Sequence, residues 1–221
     1  MRNLILGRFF TATIYLLALL GWCTLYLEPR GVLAEVPGSP LEVKVIGEGQ
    51  QVPSAIIRDM EGNQIDFHTV LNREPVVLIF YRGGWCPYCN THLGQLAEVQ
   101  DELKELGYRL VAVSPDRPEK LKESQTKNNL GYSLYSDSKM ELAKAFGVAF
   151  KLDHETVRKY LEEYKIDIEG DSGETHHLLP VPAVFVIDYR GKVRFRYYNA
   201  DYKVRIDAQQ LVKVANEVRQ K

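Results

Sequence analysis

The sequence predicts an α/β sandwich with a mostly parallel centre. Short apolar runs that read as strands alternate with stretches of helical periodicity, and the last two runs flank the turn Tyr189-Arg190-Gly191-Lys192, as in a hairpin. Residues 76–81, an unbroken apolar run, read as a buried central strand.

The elements follow in order. Residues 54–59 and 64–67, around the turn Met60-Glu61-Gly62-Asn63, read as a small hairpin ahead of the central strand. After it, Leu93, Leu96, Ala97, Val99, Leu103 and Leu106 recur at helical spacing until Gly107 stops the helix. A strand at 109–114, a helix at 119–128, a short strand at 133–135 and a helix at 140–146 continue the alternation. Residues 147–178 form a longer excursion, with a polar helix at 155–164 and an acidic loop through Asp167, Glu169, Asp171 and Glu174. The closing hairpin pairs 183–188 with 193–198. Asp207 and Gln210 then mark the start of a last helix carrying Leu211, Ala215 and Val218 on one face.

With 221 residues, 45% hydrophobic and 26% charged, the chain suits one globular domain plus an N-terminal extension. A net charge of -1 gives no electrostatic case for nucleic acid. Arg2 and Arg8 precede an uncharged stretch at 9–27, closed by Glu28-Pro29-Arg30. That pattern reads as a membrane anchor or, with small residues near Ala34, as a cleavable signal peptide. Either places the domain outside the cytoplasm, in the periplasm or at the cell surface, with a membrane contact if the segment is uncut. The expected organisation is an export segment at 1–34, a linker at 35–51 and the domain at 52–221.

The chemistry is concentrated in Arg82-Gly83-Gly84-Trp85-Cys86-Pro87-Tyr88-Cys89. Pro87 reads as the first residue of a helix, so the thiols sit where a strand hands over to a helix N-terminus. Free N–H groups and the positive end of the helix dipole favour a thiolate there. The cap geometry makes Cys86 the exposed sulfur at the helix mouth, with Cys89 one turn inward; Cys86 would attack and Cys89 resolve.

The order of elements, with C-x-x-C after the first central strand and Val181-Pro182 before the hairpin, resembles the thioredoxin fold: a three-layer sandwich on a central mixed sheet. More closely, residues 80–90, 111–115 and 182–188 are similar to the peroxiredoxin-like branch of the alkyl hydroperoxide reductase and thiol-specific antioxidant (AhpC/TSA) family, a likeness that covers about residues 50–215. The resemblance implies a peroxide substrate and a thioredoxin-like dithiol as reductant. In the family's Pro-x-x-x-Thr/Ser-x-x-Cys register, Arg82 stands for the proline, Cys86 for the threonine and Cys89 for the peroxide-attacking cysteine. The family's activating arginine falls on Pro182, which looks instead like the cis-proline of thioredoxins. In this register Cys89 becomes the sulfenic acid and Cys86 condenses with it.

Around the pair, Arg82 reads as a holder of the thiolate or as a solvated strand-end residue, and Trp85 as a docking lip or plain packing. Tyr88 would tune the pair's potential. Pro182 would lay an extended backbone edge beside the thiols, and His92 is either a proton relay or an ordinary core or surface histidine. Three functions fit: a thiol-dependent peroxidase that needs no cofactor or metal, an extracytoplasmic thiol–disulfide oxidoreductase acting on proteins, and a metal carrier or redox sensor in which His176 and His177 join the cysteines.

Overall fold

The computed structural model describes residues 35–220; the export segment expected at 1–34 lies outside the described residues. Among the described residues no helix is long and apolar enough to cross a membrane.

A seven-stranded mixed sheet forms the middle layer, in the order β2-β1-β5-β4-β3-β8-β9. Its strands are β1 (Ile56–Arg58), β2 (Gln64–Asp66), β3 (Val76–Phe80), β4 (Arg109–Ser114), β5 (Ser133–Ser136), β8 (Ala183–Ile187) and β9 (Val193–Tyr198). β3, β4 and β5 run parallel to one another, and β8 turns the sheet antiparallel beside β3. The register Val76↔Arg109 and Val76↔Ile187 puts β3 between two fully paired neighbours, so every one of its residues is buried.

Strand periodicity divides β3 between two cores. Val76, Leu78 and Phe80 face one side with Val111, Val113 and Phe185; there α1 (Phe67–Leu71) and α5 (Glu141–Ala145) cover them. Val77, Ile79 and Tyr81 face the other with Leu110, Ala112 and Val184. That side is covered by α2 (Pro87–Glu98), α3 (Gln100–Glu105), α4 (Pro118–Lys127) and α8 (Ala208–Arg219). The result is the expected three-layer sandwich.

On the first face Phe146 is the hub, its ring 4.9 Å from Phe185, 5.1 Å from Phe80 and 5.9 Å from Phe67. Gly147 beside it has φ +70°, and a Cβ there would overlap the Lys44 carbonyl. Much of the stretch 35–51, expected to be a linker, therefore lies against the domain. Ile46 N–H donates to the Phe146 carbonyl at 3.1 Å, Gly49 N–H to Val193 at 2.7 Å, and Gln51 bridges Lys192.

Three expectations change. The helix read as continuous through Leu106 is two helices, because Val99 leaves helical geometry at φ −102°, ψ 7°. Leu93, Leu96 and Leu103 stay on the buried face across the break, so hydrophobic spacing alone carries no sign of it. The excursion holds a two-stranded sheet, β6 (Ala149–Lys151) with β7 (Leu178–Pro180), and two helices, α6 (His154–Glu162) and α7 (Ile168–Ser172). The acidic loop is thus partly helical, with Asp167 capping α7 through Gly170 N–H. No cis peptide bond occurs among the described residues, so Pro182 does not take the cis form expected of it. Val181 N–H bonds the Val148 carbonyl at 2.8 Å, which prolongs the β6–β7 pairing into the extended backbone that a trans proline follows.

Phe146→Ala should lower the unfolding free energy by about 3–5 kcal/mol, measured by urea titration. A loss below about 1 kcal/mol would show that the first core does not depend on its ring cluster.

Candidate active site

β3 ends at Phe80, and the chain crosses a tight loop before entering α2. Cys86 is the N-cap of that helix, Pro87 its first residue, and Cys89 lies one turn inward. The fully paired strand fixes where the loop begins, and proline fixes φ where the helix starts. Cys86 N–H donates to the Gly83 carbonyl at 3.1 Å, while the Cys86 carbonyl accepts from Cys89 N–H and Asn90 N–H, each at 3.1 Å.

Two polar side chains hold the loop from opposite sides. Asp116, 1% exposed, accepts from Gly84 N–H at 2.7 Å, and Asn90 Nδ2 donates to the Gly84 carbonyl at 2.8 Å. Asn128 Nδ2 in turn donates to Asn90 Oδ1 at 3.2 Å. Gly83, at φ +146°, leaves room for the Trp85 indole nitrogen, which a Cβ would overlap. Burial pushes the Asp116 carboxyl up to about 7, against the pull of the Gly84 N–H.

Both cysteines are free thiols and both are buried, which corrects the expectation of an exposed Cys86. Their ionisation differs sharply. The Cys89 side chain donates a hydrogen bond to the Cys86 sulfur and, with help from Cys89 N–H and the charges of Arg82 and Arg205, brings Cys86 down to about 6 in spite of its burial. Burial drives the Cys89 thiol well above its ordinary range, and the hydrogen bond it gives to Cys86 raises it further. The two directions favour the thiolate on Cys86 over Cys89.

Arg205 lies between α8 and the end of β9, where sequence reading missed it. Its Nη2 approaches Cys89 Sγ at 3.6 Å. Its only signal was a basic residue between two apolar ones, Val204 and Ile206, too weak to single out. Asp116 was also missed, although its place just beyond the C-terminal end of a parallel strand is where α/β sheets put functional groups.

Arg82 is 4% exposed, which excludes the solvated alternative. Its guanidinium donates to Tyr160 Oη and lies 4.2 Å from the Tyr202 ring centroid, 5.1 Å from Trp85 and 5.6 Å from Tyr160. Trp85 is half-buried and packs edge-on to Tyr160 at 5.9 Å, so its packing role is real. Tyr88 is exposed, edge-on to Tyr202 at 5.7 Å. Pro182 lines an open cavity of about 250 Å³ together with Arg82, Tyr160 and Tyr202.

None of the histidines hydrogen-bonds to a thiol among the described residues. His92 is buried with Nε2 unpartnered, and burial followed by the nearby Arg205 charge lowers it to about 4, so it is a neutral core residue at physiological pH. His176 Nε2 meets the Ser138 carbonyl at 2.7 Å and His177 pairs with Glu169, so neither joins the cysteines. Among the described residues no group of three or more potential metal ligands converges.

Comparison with known proteins supports the fold and the family. Peroxiredoxin Bcp of Escherichia coli K12 is 31% identical over 100 residues, 45% of this chain and 64% of that protein. The chloroplastic peroxiredoxin Q of Oryza sativa subsp. japonica is 25% identical over 146 residues, 61% of this chain and 67% of its own. In fold, peroxidoxin BcpB of Mycobacterium tuberculosis superposes with a TM-score of 0.60 at 22% identity, over 79% of this chain and 97% of that one. The AhpC/TSA family pattern matches residues 48–196, well over half of the sequence and inclusive of the whole thiol loop, and the chain belongs to that family.

Proposed function

We propose that the protein is a thiol-dependent peroxidase in which Cys86 attacks the peroxide and Cys89 resolves the product. The observation that carries this reading is a pair of buried free thiols at a helix mouth, with Arg205 Nη2 3.6 Å from Cys89 Sγ, in a chain of the AhpC/TSA family. Among the fold neighbours, one is described by the alkyl peroxide reduction activity of the Xanthomonas campestris bacterioferritin comigratory protein, and another is a reduced peroxiredoxin from Vibrio vulnificus in complex with hydrogen peroxide.

The cycle balances in three steps. The Cys86 thiolate attacks one peroxide oxygen; the S–O bond forms, the O–O bond breaks, and the departing alkoxide or hydroxide takes up a proton. The peroxide is reduced by two electrons and Cys86 becomes a sulfenic acid. The Cys89 thiol then loses its proton, and Arg205 at 3.6 Å offsets the charge that develops on its sulfur. The S–S bond forms, the S–O bond breaks and water leaves. An external dithiol of the thioredoxin type returns two electrons through a mixed disulfide. A yeast mitochondrial peroxiredoxin of similar fold is described as resolved through glutathione and thioredoxin systems.

This assignment departs from the family register, which would make Cys89 the attacking sulfur. Cys89 holds its proton more tightly, and the attacking form is the thiolate. We also infer an extracytoplasmic location. Arg2, Arg8 and the uncharged stretch at 9–27 support it.

Iodoacetamide alkylation of Cys86 should rise with pH, reach half its maximum near pH 6 and stay flat above pH 8. Because the Cys89 thiol is the leading cause of that low value, Cys89→Ala should move the midpoint up toward the ordinary range, about 8.5. An unmoved midpoint would remove Cys89 from the account.

Hydrogen peroxide consumption with thioredoxin, its reductase and nicotinamide reductant tests the function directly. Cys86→Ser should be inactive and form no sulfenic acid. Cys89→Ser should form one that dimedone traps after a single turnover. The reverse pattern would return the attacking role to Cys89, and insulin-disulfide reduction without peroxide turnover would make the protein a disulfide reductase. For location, residues 1–50 fused to alkaline phosphatase should give an active reporter, whereas an inactive fusion would place the domain in the cytoplasm.

A further inference from the structure

Arg82 presents an unbalanced charge. A buried guanidinium loses hydration worth several kcal/mol, and the usual remedy is a carboxylate. Among the described residues Arg82 makes no ion pair with one. It carries five N–H donors; Tyr160 Oη takes one, and its buried Nε has no partner. The three aromatic faces around it supply cation–π attraction of about 0.5–2 kcal/mol each, which eases the cost without neutralising the charge. The Cys86 thiolate offsets part of it, but that charge vanishes once Cys86 has been oxidised.

The guanidinium also forms part of a cavity wall. The cavity, about 250 Å³, is walled on its apolar side by Phe150, Leu152, Val181, Pro182 and the rings of Tyr160 and Tyr202. Two other charged groups line it. Asp153 is already engaged, accepting from Thr156 N–H at 2.7 Å and from Thr156 Oγ1 at 2.9 Å, and Lys151, on the exposed rim, adds a second positive charge. The volume falls just under the roughly 300–1,000 Å³ of drug-sized sites, so the fitting occupant is small.

We propose that this cavity binds a small organic carboxylate, with Arg82 taking the carboxylate and the aromatic wall taking an apolar or aromatic body. Binding would be favoured over a neutral analogue because only the anion balances the guanidinium charge. Arg82 replaces the proline of the family motif, so the site belongs to this chain's own residues.

The test is calorimetric titration of the reduced, full-length protein with 3-phenylpropionate and with its neutral isostere, 3-phenylpropanamide. The acid should bind with a one-to-one stoichiometry and at least roughly tenfold more tightly than the amide. Arg82→Gln should abolish that preference. Ala200→Leu, which adds bulk to the cavity wall, should weaken the acid by a similar factor. Equal affinity for acid and amide, no binding at millimolar acid, or binding indifferent to Ala200→Leu would each overturn the proposal. Neither ligand is turned over, so a failure here leaves the peroxidase reading intact. A protein that binds the acid but consumes no peroxide would sink that reading and leave the cavity assignment standing.

Discussion

The site depends on one constraint: two sulfurs are buried one helical turn apart, and burial opposes charge on either. Neither thiol could carry a charge in that position unaided, because moving an ion out of water costs more than a helix terminus returns. The charge is tolerable on Cys86 because Cys89 donates to it and two guanidiniums lie near. It is not tolerable on both sulfurs at once. In the proposed cycle the pair therefore has a built-in order, in which the second sulfur is released to react only after the first has lost its charge to oxygen. That order follows from burial, and an exposed C-x-x-C would not impose it so strongly.

Everything around the loop serves to keep that geometry. Gly84 is held through its N–H by Asp116 and through its carbonyl by Asn90. Asp116 is itself reached from the end of β4, a strand paired in register along the whole of β3. The positions of the sulfurs are thus referred to the most rigid part of the sheet. The excursion contributes Tyr160 from α6, a helix with no buried residue of its own, and Tyr160 is also part of the aromatic surround of Arg82. One wall of the site is accordingly firm and the other is held by a few side-chain contacts.

Much of this was readable in the sequence because it is local. The run at 76–81, the proline at the helix start and the cysteine spacing place a strand, a turn and a helix without reference to anything distant, and the two-core sandwich follows from alternation along β3. What could not be read is non-local. Arg205 reaches Cys89 across 116 residues of chain, and Tyr160 reaches Arg82 across 78. Local pattern offers no reason to pair them. The break at Val99 was hidden for another reason: the buried face continues across it, so periodicity is satisfied by one helix or by two.

Burial of Cys86 was misjudged on the same ground, and the correction changes the chemistry. A helix N-cap is exposed when only its own helix is considered. Here Cys86 is buried in a cluster with Tyr81, Leu93 and Leu121, and Trp85 packs against it. That enclosure raises the cost of a thiolate, so the hydrogen bond from Cys89 must do what water would do at an exposed site. In the proposed cycle the resolving cysteine is consequently also the group that activates the attacking one. Two roles that the motif assigns to separate steps belong to a single contact, and removing Cys89 must weaken the first step as well as the second.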